Sequence, residues 1–366
     1  MAKTPRTLLW DLDDHTRGKH EVLRAYLGRW LPILGKTQGR IVFIDGFAGP
    51  GRYRNGEPGS PLIALETLLG HPSARGLRAE VVLLFIDDDA RRLEHLKGVL
   101  EAVPLPEKPV VRWELRQGKF DGAMAGLLDD LESQAARMAP AFVMIDPFGI
   151  SQTPMAMVKR ILRHPKSEVF VTFMIDRVHR FVADESIEGH LDELFGTPEW
   201  RKARELTGQA RRGYLLELYA AQLRAAGARY VLRFELYRGG QLVYSIFFAT
   251  QSLVGCAKMK EAIWSVIPDG SFEFRAARGG QRSLELVVDD TWPLRGQLYR
   301  KFGTEWATIE AVDEFVDGDE TLYRKEHLRR KTLVPLEKEG AIEVQRTGRA
   351  GSFGPGTRIR FTREPS

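Results

Sequence analysis

The sequence predicts an α/β protein in two parts: a parallel sheet with helices on both faces that ends in an antiparallel hairpin, then a small winged-helix domain at the C-terminus. Three observations predict it. Between residues 41 and 175, short and nearly continuous apolar runs alternate with stretches of helical period, the pattern of strands covered on both faces. Two later runs, residues 230–237 and 242–249, are joined by Arg238-Gly239-Gly240-Gln241, and Gly-Gly at that spacing signals a hairpin. From about residue 292 the pattern becomes three short helices and two strands around a glycine-rich basic loop.

The elements follow in order. Residues 13–34 read as a helix, because Val22, Leu23, Tyr26, Leu27, Trp30 and Leu31 recur at helical spacing. Residues 41–45 form the first strand and feed a glycine cluster, and 62–69 the next helix. Residues 81–86 form the second strand, closed by Asp87-Asp88-Asp89, with Leu93, Leu96 and Leu100 marking the helix after it. Strands at 110–115, 141–145 and 168–175 follow, with helices at 123–138 and 154–162 between them. Residues 184–212 are polar and mixed and read as an inserted helical cap. Helices at 214–226 and 259–266 flank the hairpin. In the C-terminal part, 294–302, 309–315 and 322–336 read as helices, and 342–345 and 358–361 as strands of the wing. The expected domains are residues 1–290 and 291–366.

A length of 366 residues suits two domains. The net charge of +5 permits a polyanionic partner without requiring one. The one cysteine, Cys256, excludes an internal disulfide and a multi-cysteine zinc site. The N-terminus is polar, and no apolar run approaches the ~18–20 residues that cross a bilayer. A soluble, cytoplasmic protein with no membrane partner is expected.

Residues 41–51, Ile-Val-Phe-Ile-Asp-Gly-Phe-Ala-Gly-Pro-Gly, are a strand end followed by a loop of small residues. Such a loop lets the backbone approach a ligand closely, and in open α/β sheets ligands sit beyond the carboxyl ends of the strands. Gly46, Phe47, Ala48, Gly49 and Gly51 are therefore candidate cofactor-binding residues, with Asp45 placed to hydrogen-bond a ligand amino group. The alternative is that the glycines only turn the chain. No Gly-Lys-Ser/Thr follows, and the glycine order differs from the Gly-x-Gly-x-x-Gly of dinucleotide folds, which disfavours an NTPase or a NAD enzyme. Asp87 ends the second strand, where an acid commonly takes the ribose hydroxyls of a nucleoside. Asp88 and Asp89 equally suit a turn that caps the next helix. Residues 117–121, Phe120 among them, would lie near an adenine.

Asp146-Pro147-Phe148-Gly149 closes the fourth strand and carries the candidate catalytic residues Asp146, Pro147 and Phe148. The Asp side chain and the Pro carbonyl can both accept hydrogen bonds from an exocyclic amino group, which aims the nitrogen lone pair at a methyl donor, while the aromatic ring stacks on a flipped base. The alternative is a stiff turn at a strand end. Thr16 and Lys19 share a helix face and are candidates for substrate contact, against the plainer reading of a solvated first turn. Glu57 and Ser60 lie in the Gly/Pro-rich loop 56–61, which is either a substrate-side loop or a rigid linker. Arg324, Lys325, Arg329, Arg330 and Lys331 fall near the expected recognition helix. Arg346, Arg349, Arg358 and Arg360 decorate the wing, and Arg346, Arg349 and Arg358 are candidates for phosphate contact. Glu305, Glu310, Asp313, Glu314, Asp317, Asp319 and Glu320 lie in the same domain, so protein docking stays open.

A parallel run that ends in an antiparallel pair, with acids at successive strand ends, is the pattern of the Rossmann-like class I methyltransferase fold, whose cofactor is S-adenosylmethionine. Asp146 to Gly149 is similar to the Asp-Pro-Phe/Tyr-Gly of amino-methylating tRNA guanine methyltransferases. The chain as a whole resembles the three-Cys-motif partner protein family (TcmP) over about residues 10–275. The resemblance is carried by His15-Thr16-x-x-Lys19-His20, residues 43–51, residues 56–62, residues 145–149, Phe247-Phe248-Ala249-Thr250 and Met259-Lys260-x-x-x-Trp264. It implies a methyltransferase-type fold, an appended winged helix and a partner protein with a three-cysteine motif. Two functional expectations follow. One is an S-adenosylmethionine-dependent transfer to an exocyclic amino group of a nucleic-acid base. The other is a catalytically degenerate module of the same fold that binds nucleic acid and the three-Cys-motif partner. A nuclease is disfavoured because the acids sit singly at separate strand ends and form no metal cluster.

Overall fold

The computed structural model describes residues 7–150, 153–238, 240–275, 290–346 and 348–364. Gly239 of the expected hairpin turn and Thr347 of the expected wing loop lie outside these. The chain forms two units, Met1–Ser252 with Glu273–Gln281, and Leu253–Phe272 with Arg282–Ser366.

The first unit begins with α1 (Asp14–Gly35), whose Val22, Leu23, Tyr26, Leu27, Trp30 and Leu31 are buried. The alternation then runs β1 (Arg40–Asp45), α2 (Ser60–Leu69), β2 (Glu80–Asp87), α3 (Ala90–Glu101), β3 (Val111–Gln117), α4 (Phe120–Ser133), β4 (Ala141–Ile145), α5 (Met155–Leu162) and β5 (Ser167–Phe173). Next come α6 (Ile175–Phe181), α7 (Glu188–Phe195), α8 (Gly208–Ala225), β6 (Tyr230–Arg238), β7 (Gln241–Thr250) and β8 (Glu273–Arg275). One sheet holds all eight strands in the order β3-β2-β1-β4-β5-β7-β6-β8. Strands β1 to β5 pair in parallel, and β7 runs antiparallel to both β5 and β6. This mostly parallel sheet with a reversed seventh strand is the Rossmann-like methyltransferase arrangement that the strand pattern predicts.

Several boundaries differ from the sequence reading, α8 and α9 starting at Gly208 and Leu253 rather than at 214 and 259. The apolar run that reads as strand through residue 175 stops at Phe173, and α6 follows. A continuous apolar run has no period that separates a strand from a buried helix. Helix α4 starts at Phe120 and ends at Ser133, after which Ala135 takes a φ of 50°. The segment expected as a polar cap carries Leu191, Phe195 and Trp200, all fully buried in the core of this unit. Its polar residues pair among themselves: Trp200 donates to Asp192 at 2.8 Å, and Arg201 meets Asp192 at 2.6 Å.

The second unit comprises α9 (Leu253–Val266), α10 (Trp292–Phe302), β9 (Ala307–Thr308), α11 (Ile309–Asp317), α12 (Lys325–Leu328), α13 (Val334–Lys338), β10 (Ile342–Gln345) and β11 (Arg358–Phe361). Helix α9 thus groups with the C-terminal elements although it precedes residue 290. The strands form a small antiparallel sheet, β10-β11-β9. Its core includes Leu298, Val312, Phe315, Leu328, Leu336 and Ile359. The single helix read over 322–336 is broken into α12, a π turn at Arg329–Leu333 and α13, which has Pro335 in its first turn. A proline ring carries no N–H and crowds the carbonyl four residues back, so a regular α-helix cannot continue through Pro335. No described helix is long and apolar enough to cross a membrane.

Candidate functional site

The strand order reverses direction at β1 and β4, and ligands of open α/β sheets sit beyond the carboxyl ends at such a point. Asp45 is the last residue of β1 and pairs in register with Met144, two residues before Asp146. The register therefore brings both acids to the same end of neighbouring strands. A cavity of about 290 Å³ opens there. Its walls include Phe47, Ala48, Gly49 and Gly51 of the glycine loop, Thr16, Lys19 and His20 of α1, Ser60 of α2, and Asp146, Pro147 and Phe148. Trp10, Tyr53, Thr172, Arg177 and Tyr244 also line it.

Lys19 and Asp146 form an ion pair in this cavity, with the lysine side chain almost wholly buried. Burial alone would raise the Asp146 carboxyl, but Lys19, supported by Thr172, holds it below the usual carboxylate range. His20, next to this pair, is pushed down to about 3 by burial and by Lys19, so it is neutral at ordinary pH. Asp45 is fully buried. Its Oδ1 accepts from the Phe47 N–H at 3.1 Å, while its Oδ2 has no hydrogen bond of good geometry and is served only by the pull of the Ser60 hydroxyl on the carboxylate. Burial lifts Asp45 to about 6, against the opposing pull of Ser60 and Phe47. A buried carboxylate oxygen whose hydrogen bonding is incomplete is costly, and a cationic or amino group brought to it would relieve that cost.

Asp87 lies at a narrow crevice of about 10 Å³ beside the cavity, lined by Gly46, Phe47, Asp88, Arg92, Gly118, Lys119, Phe120 and Phe148. Phe47 and Phe148 border both spaces. Asp87 is already engaged: its Oδ2 accepts from the Gly49 N–H and its Oδ1 from the Asp89 N–H, each at 2.9 Å, and Arg92 stands 3.5 Å from Oδ1. Burial raises its pKa, and those contacts oppose the rise. Asp89 caps α3 by accepting from the Arg91 N–H. Phe120 packs on Gly46, where a Cβ would come within 2.4 Å of its ring. Gly51 has a φ of 80°, and its Cβ would meet Leu96 at 2.6 Å. Glycine is favoured at Gly46 by the packed Phe120 ring and at Gly51 by its positive φ.

Of the substrate-side residues, Thr16, Lys19 and Ser60 face the cavity. Glu57 stands outside its lining, paired to Arg17 at 2.8 Å. Arg346, Arg349 and Arg358 belong to the other unit. Arg349 and Arg358 are exposed, whereas the Arg346 side chain is 9% exposed, pairs with Glu337 and lies over the Phe353 ring.

Four residues that matter here escaped the sequence reading. Trp10 meets Phe148 edge-on with ring centroids 5.7 Å apart and Tyr53 at 6.1 Å. The Arg92 guanidinium lies 5.4 Å from the Trp10 ring centroid and 5.6 Å from that of Phe148. Arg177 donates to the Phe148 carbonyl at 2.9 Å. Trp10 precedes the first helix, Tyr53 follows the glycine loop, and Arg92 looks like an ordinary surface helix position. The only sequence signal was aromatic and basic character close to the strand-end motifs. Among the described residues no cluster of His, Cys, Asp and Glu could hold a metal ion.

No protein-family model matches the sequence, and no curated protein does. Solved structures show remote likeness. Trm1 from Pyrococcus horikoshii, in complex with S-adenosyl-L-methionine, is 14% identical over 77% of this chain and 68% of its own, with a TM-score of 0.39. Magnesium protoporphyrin IX methyltransferase from Synechocystis PCC 6803, with bound SAH, is 13% identical over 65% of this chain and 86% of its own, with a TM-score of 0.35. The O-methyltransferase from Bacillus cereus in complex with SAH is 13% identical over 62% of this chain and 80% of its own, with a TM-score of 0.33. The strand order of the sheet, rather than these likenesses, carries the fold.

Proposed function

We propose that the N-terminal unit binds S-adenosylmethionine and methylates an exocyclic amino group of a nucleic-acid base. One observation supports this most: an ion-paired acid, Asp146, followed by Pro147 and Phe148, lines one cavity beyond the ends of β1 and β4 together with the glycine loop that follows the buried Asp45. The incompletely bonded Asp45 oxygen suits the cationic amino end of the cofactor, Asp87 its ribose, and the loop 46–51 with Phe120 the rest. When bound, the cofactor supplies an activated methyl group.

The chain's own residues then have positional work. Asp146 and the Pro147 carbonyl accept hydrogen bonds from the amino group and orient its lone pair. Lys19 keeps Asp146 ionised, and a fixed anion stabilises positive charge as it grows on the attacking nitrogen. Phe148 stacks on the ring that bears the amino group. Thr16 and Ser60 line the substrate side, and Glu57 flanks it. Because the donor is already activated, positioning dominates, and misplacement by ~1 Å costs on the order of 100-fold. The Asp146→Ala variant is expected to bind S-adenosylhomocysteine as the parent does in calorimetry and to lose methyl transfer from labelled cofactor to RNA or DNA. Undiminished transfer by this variant would show the role to be wrong.

The C-terminal unit, on this reading, is a winged helix that holds nucleic acid through exposed arginines of its wing. A second reading makes the protein a degenerate module of the same fold that docks a three-Cys-motif partner. One observation favours it: the cations near α12 largely face acids of their own unit, with Arg329 2.7 Å from Asp313 and Lys325 3.0 Å from Asp317. Absence of any adenosyl-ligand binding, together with capture of that partner, would select the second reading.

A further inference from the structure

Helix α3 begins at the strand-end acid and carries Arg92 on its first turn, five residues after Asp87. Its side chain is 2% exposed. An arginine stays charged when buried, so it must be held by acceptors and ring faces. Here it has both. Asp87 stands 3.5 Å away and Asp89 4.0 Å away, and the rings of Trp10 and Phe148, themselves in edge-on contact, lie 5.4 and 5.6 Å from the guanidinium. Cation–π contacts at such distances are attractive and strengthen when water is excluded. Trp10 is itself fastened to the loop after the glycine cluster, because the Arg54 N–H donates to the Trp10 carbonyl at 2.9 Å and Arg54 also bonds Asp11 at 3.0 Å. A Cβ on Gly49 would meet the Trp10 ring at 3.4 Å, and the Gly49 N–H is the group that binds Asp87.

We infer that Arg92 is a positioning residue that ties occupation of Asp87 to the seating of Phe148 and Trp10. The inference rests on the cofactor reading above, in which Asp87 takes a ribose diol. A carboxylate has about four acceptor sites, and at Asp87 two backbone N–H groups and Arg92 already draw on them. A diol arriving at Asp87 competes with the weakest of these, the 3.5 Å contact from Arg92. Because the guanidinium lies against both rings, which also meet each other edge-on, any change in its hold on Asp87 is passed to Phe148, which borders both the crevice and the larger cavity. The expected consequence is ordered binding: the cofactor is taken first, and the base-stacking ring is seated as a result. Coupling of this kind requires an element whose arrangement both ligands bias, and the Trp10–Arg92–Phe148 cluster is that element.

The test uses the full chain and S-adenosylhomocysteine. Hydrogen exchange of segments 8–13 and 146–150 is measured with and without the ligand, in the parent and in Arg92→Met. In the parent, the ligand is expected to slow exchange in both segments. Arg92→Met is expected to bind the ligand no more weakly, since Asp87 is relieved of a competitor, and to lose the ligand-dependent slowing. Equal slowing in the variant overturns the inference, and so does ligand binding to the parent without any change in these segments. If Arg92→Met does not fold, Arg92→Lys keeps the charge and removes the planar fork; it is expected to lose the slowing, and full retention overturns the inference. Failure of the parent to bind the ligand is a different result, because it removes the cofactor reading and this inference with it.

Discussion

The two units use charge in opposite ways. In the N-terminal unit, Lys19, Asp87 and Arg92 are buried at the edge of two adjoining spaces, and each sets the ionisation or position of a neighbour. In the C-terminal unit, several cations lie at the surface against acids of the same unit: Arg360 with Glu343 at 2.7 Å, Lys301 with Glu320 at 2.7 Å, Arg329 with Asp313 at 2.7 Å. Surface pairs of this kind contribute little, and their charges cancel at a distance. A basic sequence is therefore a poor guide to a basic face. Charge that is buried beside a cavity is held ready for a ligand, while charge that is paired in water is largely neutralised before any partner arrives.

One residue of the C-terminal unit breaks this contrast, and altering it gives the largest expected effect. Lys260 is fully buried, and its ammonium donates to the carbonyls of Val316, Gly318 and Thr321. Burial pushes its pKa down to about 8, so it remains mostly charged at neutral pH. Lys260→Met would strand three buried carbonyls, each costing about 1–3 kcal/mol. Thermal unfolding should show a destabilisation of about 3 kcal/mol or more in this unit with S-adenosylhomocysteine affinity unchanged, and a neutral outcome would mean that the cage does not hold the unit together.

The next effect separates a buried charge beside the cavity from one in a cage. Asp45 is lifted to about 6 by burial, so it is mostly protonated at pH 5 and mostly ionised at pH 7. A cationic ligand needs the ionised form. S-adenosylmethionine affinity should therefore rise about tenfold between pH 5 and pH 7, and Asp45→Asn should flatten that profile. An unchanged profile in the variant would assign the pH dependence to another group.

The smallest effect tests the surface charges. Replacing the exposed Arg349 and Arg358 with alanine should lower the slope of log affinity against log salt by about 0.7–0.9 for each phosphate that is no longer neutralised. Arg346→Ala should leave that slope alone and reduce stability instead, because Arg346 is committed to Glu337 and Phe353. If the double variant keeps its slope and no longer captures a three-Cys-motif partner in a pull-down, protein docking replaces nucleic-acid binding as the role of this unit.

Much of the first unit was legible in the sequence, because its signals are local. The apolar runs of β1, β2 and β4, the acids Asp45, Asp87 and Asp146 that end them, and the Gly-Gly turn between β6 and β7 each need only a few adjacent residues. Chain direction and the parallel pattern then place those acids at one edge of the sheet. The boundaries that were misread, at residue 173 and through 329–338, are places where an apolar run has no period or where a proline interrupts one. What the tertiary structure alone decided is which charge meets which. Lys19 reaches Asp146 across 127 positions of sequence, and Arg92 finds Asp87, Trp10 and Phe148 on three different segments. Motif spacing encodes where the chain turns, but an ion pair across the sheet depends on how helices α1 and α3 pack over the strand ends. That packing is fixed by the burial of apolar faces far from the charges themselves, and no local pattern records it.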